Sequence, residues 1–185
     1  MIRTSTRQRL LQLARTALEA RVRRHAPPPV PVDIAVDAFG VFVTIHHQDD
    51  LRGCLGALDC PDRIVESLAR LAGAVAHEDH RFAPLREHEL VETTIDLSLL
   101  TPPERVSDHL TIEVGRHGLI VEEGRHRGLL LPQVASEHGW DLHTLLSHTC
   151  LKAGLPADAW QRGAIVLSFE AEVFGEPSQR ERNVE

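Results

Sequence analysis

Two glycines flank a single thiol in Leu51-Arg52-Gly53-Cys54-Leu55-Gly56. Glycine inside a strand weakens it and marks a bulge or a close backbone approach. Side chains alternate along a strand, so Leu51 and Leu55 are expected on one face and Arg52 and Cys54 on the other. The aliphatic face would pack on a core and leave guanidinium and thiol pointing the same way. A cation beside a cysteine favours the thiolate, which is the nucleophilic and metal-binding form. Cys54 is thus a candidate catalytic residue, and Arg52, Gly53 and Gly56 are candidates for holding a substrate. The competing reading makes Cys54 a small buried hydrophobe, a common fate of strand cysteines.

Other groups offer chemistry more weakly. His117 stands between Arg116 and Gly118 in a glycine-bounded turn, and an imidazole titrates where proton transfer at neutral pH needs it. It is a second catalytic candidate, against the alternative of a turn histidine bonded to the backbone. Arg81 could recognise a carboxylate or phosphate, or instead pair with Asp79 or Glu78; its neighbour Phe82 reads as a core anchor. Twelve histidines include His46-His47 and the His77/His80 pair, yet none of the familiar ligand spacings occurs, so no metal and no cofactor is expected. Gly53 and Gly56 are not followed by the lysine and hydroxyl residue of a phosphate loop, and no serine elbow appears.

The elements that must position these groups can be read from periodicity. Residues 4–24 predict a helix with Leu10, Leu11, Ala14, Leu18 and Val22 on one stripe, followed by an extended proline-rich connector over 27–31. Phe39 to His46 and Leu51 to Leu58, joined by Gln48-Asp49-Asp50, predict a hairpin. A helix capped by Asp59, with Pro61 in its first turn, should run to about His77, and a loop should follow to Glu92. Thr93 to Leu100 alternates like a half-buried strand. Beyond Pro102-Pro103, three short strands are expected at Thr111 to Val114, Leu119 to Glu122 and Gly128 to Leu131. Pro132 starts a short helix, Asp141 caps another that closes at Gly154, Trp140 acts as its hydrophobic staple, and Ile165 to Val173 form a last strand.

Composition sets the class. A chain of 185 residues, 42% hydrophobic and 25% charged, is that of an ordinary globular protein able to bury a core. No apolar run is long enough for a membrane helix, the first residues lack the features of a secretory signal, and three cysteines make no pairing framework, so a cytoplasmic location is expected. The formal charge of −7 is uneven: the first 24 residues hold seven arginines and one glutamate, leaving about −13 on the rest. That acidic body argues against direct nucleic-acid binding, whose strength comes largely from neutralised phosphates.

Several separated motifs resemble the AMMECR family. Leu51 to Gly56 is similar to its leucine-arginine-glycine-cysteine-isoleucine-glycine signature, with Leu55 in place of isoleucine, and Asp79-His80-Arg81-Phe82-Ala83-Pro84 to its aspartate-x-arginine-phenylalanine-x-proline segment. Pro102-Pro103-Glu104, Glu113 to Leu119, Leu131-Pro132-Gln133-Val134, Trp140-Asp141 and Lys152-Ala153-Gly154-Leu155 follow in the family's order, covering about residues 39–175. The chain has no tyrosine, so Ile165 to Leu167 stand where relatives carry aromatic residues.

The resemblance implies an α+β fold of two unequal subdomains within one domain over 1–185. Each subdomain would be an antiparallel sheet with flanking helices, and the glycine-cysteine motif would face a cleft between them. It also implies membership of the AmmeMemoRadiSam system, alongside a Memo-like protein and a radical S-adenosylmethionine enzyme. The expected function is binding of a sizeable organic or peptide substrate in that cleft. One alternative is a non-catalytic adaptor or modification acceptor for those partners. Another, disfavoured by the acidic charge, is an accessory factor of transcription, translation or repair.

Overall fold

The computed structural model describes residues 2–58, 60 and 63–177. It is a mixture of helices and antiparallel strands whose residues fall into two compact units, Met1–Leu99 with Glu172–Glu185, and Leu100–Ala171.

The first unit opens with helix α1, Thr4–Val22, which buries Leu10, Leu13, Ala14, Ala17 and Leu18. That face is broader than the expected stripe, and Leu11 and Val22 are only partly buried at its edge. The chain then forms strands β1, Gly40–His47, and β2, Asp50–Leu58, as an antiparallel hairpin. Gln48 and Asp49 take positive φ values of 52° and 69°, as a tight hairpin turn requires. Helix α2, Ile64–Ala74, follows and ends one turn earlier than the sequence suggests. The expected cap Asp59 and first-turn Pro61 lie outside the described residues.

Residues 79–92 are not all loop, because Glu87–Glu92 form a 3-10 turn in which the Glu89 carboxylate accepts the Arg86 amide at 2.8 Å. Strand β3 spans Thr93–Leu100 and pairs beside β1, which leaves β2 at the outer edge of the sheet. The expectation that β3 is half-buried holds at Asp96, whose side chain is partly exposed, but not at Thr94 and Ser98, which are buried nearly as fully as Ile95 and Leu97. A strand with neighbours on both sides can be enclosed on both faces, and small hydroxyl side chains fit there. The core of this unit lies between the sheet and the two helices, where Val41, Val43 and Ile45 meet Leu68, Leu71, Ile95 and Leu97. Leu85, rather than Phe82, is the core residue of the loop after α2.

The second unit contains β4, Glu104–Arg105, β5, His117–Glu123, β6, His126–Leu130, helices α3, Pro132–Glu137, and α4, Leu142–Lys152, and most of β7, Ile165–Gly175. Strand β7 pairs antiparallel with both β5 and β4, and β5 with β6. No strand forms at Thr111 to Val114. Asp108 instead accepts the Leu110 amide at 2.9 Å through its side chain and the Thr111 hydroxyl at 2.7 Å through its carbonyl, closing a 3-10 turn at His109–Thr111. Local side-chain bonding of this kind competes directly with a ladder. Asp141 caps α4 through the Thr144 amide at 2.7 Å, and Gly154 takes φ 73° just beyond its end. Trp140 packs against the core of Leu119, Val121, Leu145 and Leu146, with its ring stacked on His148 at 4.1 Å between centroids.

No helix among the described residues is long and apolar enough to cross a membrane.

Candidate thiol site and family relationship

The geometry around Cys54 follows from one irregularity in the hairpin. His47 pairs with Asp50 and His46 with Leu51, but Ile45 pairs with Gly53, so Arg52 is an extra residue on β2. This bulge shifts the register by one, and Cys54 comes to face Thr44. A regular hairpin would have set Arg52 against Ile45, a fully buried side chain, and Gly53 against Thr44.

The bulge also overturns the expected alternation. Leu51 pairs with His46 and is exposed, whereas Leu55 pairs with Val43 and packs against the core, so the two leucines do not share a face. Phe42, Thr44 and His46 lie on the face of β1 that turns away from Val41, Val43 and Ile45, and Cys54 and Gly56 join them there from β2.

Arg52 is not paired with the thiol. Its Nε donates to Glu89 Oε1 at 2.9 Å, and its terminal nitrogens donate to the Ala83 carbonyl at 2.8 Å, the Pro84 carbonyl at 3.4 Å and Glu89 Oε2 at 3.3 Å. Both side chains of that pair are more than four-fifths covered. Burial opposes ionisation of Glu89, but the Arg52 and Arg86 hydrogen bonds and the Arg52 charge outweigh it, and the carboxyl sits below its ordinary value. Arg52 is thus a clamp between the edge strand and the loop after α2.

The group that meets Cys54 is Asp79. Its Oδ2 accepts the Cys54 amide at 2.9 Å, and the carboxylate takes a forked bond from Arg81, Nε to Oδ1 at 2.9 Å and a terminal nitrogen to Oδ2 at 2.7 Å. The Arg81 amide adds a 3.2 Å bond to Oδ1. A carboxylate with so many donors is held in its charged form. The Arg81 hydrogen bonds, against the opposing effect of burial and with the Cys54 amide helping, keep Asp79 well below the usual carboxylate range. The Asp79 side chain is 6% exposed and that of Arg81 61%. Arg81 lies over the Phe82 ring at 5.4 Å and is raised above its ordinary value by the Asp79 hydrogen bonds and charge, with a smaller contribution from the Cys54 sulfur. The Thr44 hydroxyl donates to Cys54 Sγ at 3.3 Å.

The glycines have steric reasons. A Cβ on Gly53 would come within 3.1 Å of Val75 Cγ2 and 3.2 Å of Ile45 Cγ1, and one on Gly56 would overlap the Phe42 ring. Cys54, Arg52, Gly53, Gly56 and Arg81 all belong to the first unit. The sequence points to Arg52 as the thiol's cation, whereas Arg52 is taken up by Glu89, and Arg81 reaches the Cys54 segment through Asp79, with Thr44 on the sulfur. Asp79 is legible two residues before Arg81 in the same motif, but Thr44 is not, because only the bulge brings it opposite Cys54.

His117 belongs to the second unit, at the start of β5. Its Nδ1 accepts the Glu113 amide at 2.9 Å, which puts the proton of the neutral ring on Nε2, 3.9 Å from Glu170 Oε1. Arg116 bridges Glu113 and Glu170 at 2.9 Å and 3.0 Å. His46 Nδ1 lies 3.3 Å from Asp96 and His47 Nε2 3.6 Å from Glu92. Among the described residues no three His, Cys, Asp or Glu side chains converge as metal ligands.

A family model described as AMMECR1 matches residues 11–174, which includes the bulged strand and the Asp79–Arg81 turn. The chain belongs to the AMMECR1 family. A Methanosarcina barkeri protein is 46% identical to it, over 74% of this chain and 70% of the relative, and Methanocaldococcus jannaschii protein MJ0810 is 42% identical, over 79% and 77%. A solved structure, that of the uncharacterized Pyrococcus horikoshii protein PH0010, is similar in fold, with a TM-score of 0.79, 38% identity and coverage of 97% of this chain and 95% of that one. Family membership and the similarity to this solved structure agree on the fold.

Proposed function

We propose that the Cys54 face of the first unit binds a sizeable organic or peptide substrate that carries an anionic group. The observation that carries this reading is the exposed Arg81 guanidinium, held by a buried Asp79 that also fixes the Cys54 backbone. A guanidinium immobilised in this way is pre-organised to receive a carboxylate or phosphate, since the cost of ordering it is already met by the fold. Cys54 is the nucleophile or acceptor of that site, with the Thr44 hydroxyl steadying the sulfur. Arg52 keeps the edge strand and the loop in register, and Gly53 and Gly56 let the neighbouring side chains close around them. His117 is a candidate proton carrier in its own unit. The partners implied by the family resemblance are a Memo-like protein and a radical S-adenosylmethionine enzyme.

A direct test is alkylation of the full chain by iodoacetate, an anionic reagent, compared with neutral iodoacetamide at neutral pH. Cys54 should react faster with the anion relative to the neutral reagent than buried Cys150 does, and Arg81→Ala should abolish that preference, a change of about tenfold. An equal ratio in both proteins removes Arg81 as the anion-binding group.

One observation favours a second reading. Arg52 ties the edge strand to Glu89 and to the Ala83 carbonyl, so this residue of the signature has a structural task. That suits an adaptor or modification acceptor for the same partners. Full activity of the co-expressed partners with a Cys54→Ser variant would select it; loss of activity would select the substrate-binding site.

A further inference from the structure

Away from the thiol site, α1 and α2 enclose a groove of about 380 Å³, floored by Ala17, Ala69, Gly73 and Ala74. Its rim carries Arg21, His25 and Arg70 against one carboxylate, Glu78. Most arginines of this acidic chain are paired, as with Arg7, Arg9, Arg15, Arg52, Arg63 and Arg81. Arg21 and Arg70 form no ion pair and donate no side-chain hydrogen bond among the described residues.

Two further features mark the local excess of positive charge. His77, next to Glu78, is held below its ordinary pKa first by burial and then by the charges of Arg21 and Arg24, and its buried Nδ1 has no hydrogen-bond partner among the described residues. Arg24 itself takes φ 59° at the end of α1, a left-handed position usually given to glycine. The amide of His25 there donates back to Ala20 at 2.7 Å, which folds His25 toward the groove.

We propose that this groove is a binding site for a small organic anion, with a phosphate or carboxylate held by Arg21 and Arg70 and a flat body laid on the alanine–glycine floor. The volume is that of a small-molecule pocket. The floor carries no long side chains, so a ligand resting on it meets small groups; at Gly73 the helices approach closely enough that a Cβ would already touch the Ala17 carbonyl and Arg21 Cβ at 3.7 Å. Arg21 and Arg70 offset Glu78 and the partial negative charge at the two helix ends, and Arg24, whose charge also reaches His77, tips the balance to positive. The site stands apart from the thiol reading: the Cys54 amide donates to Asp79 and its sulfur accepts from Thr44, neither of which lines the groove, although Glu78 directly precedes Asp79.

Titration calorimetry of the full chain with pyrophosphate and with citrate tests this and separates phosphate from carboxylate as the recognised group. Saturable binding of at least one probe is expected, weakened about tenfold or more in the Arg21→Ala/Arg70→Ala double variant. An Arg125→Ala control, in the second unit, should bind as the unaltered chain does. No saturable binding of either probe, or an equal loss in the Arg125 control, overturns the proposal. If the double variant does not fold, Glu78→Gln decides: removing the single rim carboxylate should tighten binding, and an unchanged affinity overturns the proposal.

Discussion

Asp79 shows how much one carboxylate organises at the scale of the residue. It receives the backbone of the edge strand and the side chain of its own loop, so a neutral amide in its place would leave at least one covered donor without an acceptor. Asp79→Asn should therefore cost about 1–3 kcal/mol at neutral pH, measured by urea unfolding. The effect must also depend on pH in a defined sense. The folded-state pKa of Asp79 is depressed, so its stabilisation is present above the ordinary carboxylate value, near pH 4, and is lost as pH falls through the folded value. The difference between the unaltered chain and Asp79→Asn should be flat from neutral pH down to about 4 and shrink below it. A constant difference through the acid range would mean that the charge of Asp79 does not matter.

Between elements, the edge hairpin is set by the bulge at Arg52 and by a close approach at Gly56. Phe42 lies across Gly56 on the face that carries Cys54 and Thr44, and the ring occupies the space a Cβ would need. Gly56→Ala should destabilise by about 1–3 kcal/mol because the overpacked ring must leave its place. A smaller partner should relieve it: in a Phe42→Leu background the same alanine should cost clearly less, and a double-mutant cycle gives the coupling. Additive losses would show that Gly56 is needed for some other reason than Phe42. The hairpin itself is legible in the sequence from its β-rich runs and polar turn. The bulge is not, because alternation assumes one residue per position, and only the pairing partners reveal that Arg52 has none.

For the whole molecule, the basic N-terminal helix has a task that its charge conceals. The sequence presents residues 4–24 as a positively charged segment on an acidic chain, with an apolar stripe of Leu10, Leu11, Ala14, Leu18 and Val22. In the structure Leu10, Ala14 and Leu18 are fully buried in the core of the first unit, and Arg7 and Arg15 pair with Glu172 and Glu176 from the far end of the chain. Each buried leucine contributes about 1.5–3 kcal/mol, so the segment supplies a large share of a marginal total. Deleting residues 2–24 should abolish cooperative thermal unfolding of the first unit, followed by circular dichroism with near-ultraviolet signals. An intact cooperative transition would make the helix an appendage after all.

Residue types and their spacing alone determine the family, the mixed helix-and-antiparallel class, the hairpin, β3, the capped helix α4 and the last strand, since these rest on local periodicity and turn chemistry. The identity of the motif residues Arg52, Cys54 and Arg81 is likewise written in the sequence. Which of the two arginines attends the thiol is decided only in three dimensions. A one-residue change of register sends Arg52 to Glu89 and brings Thr44 to the sulfur, and a carboxylate from a separate loop ties Arg81 in place. Register and side-chain pairing depend on contacts between segments distant along the chain, and no local pattern encodes them.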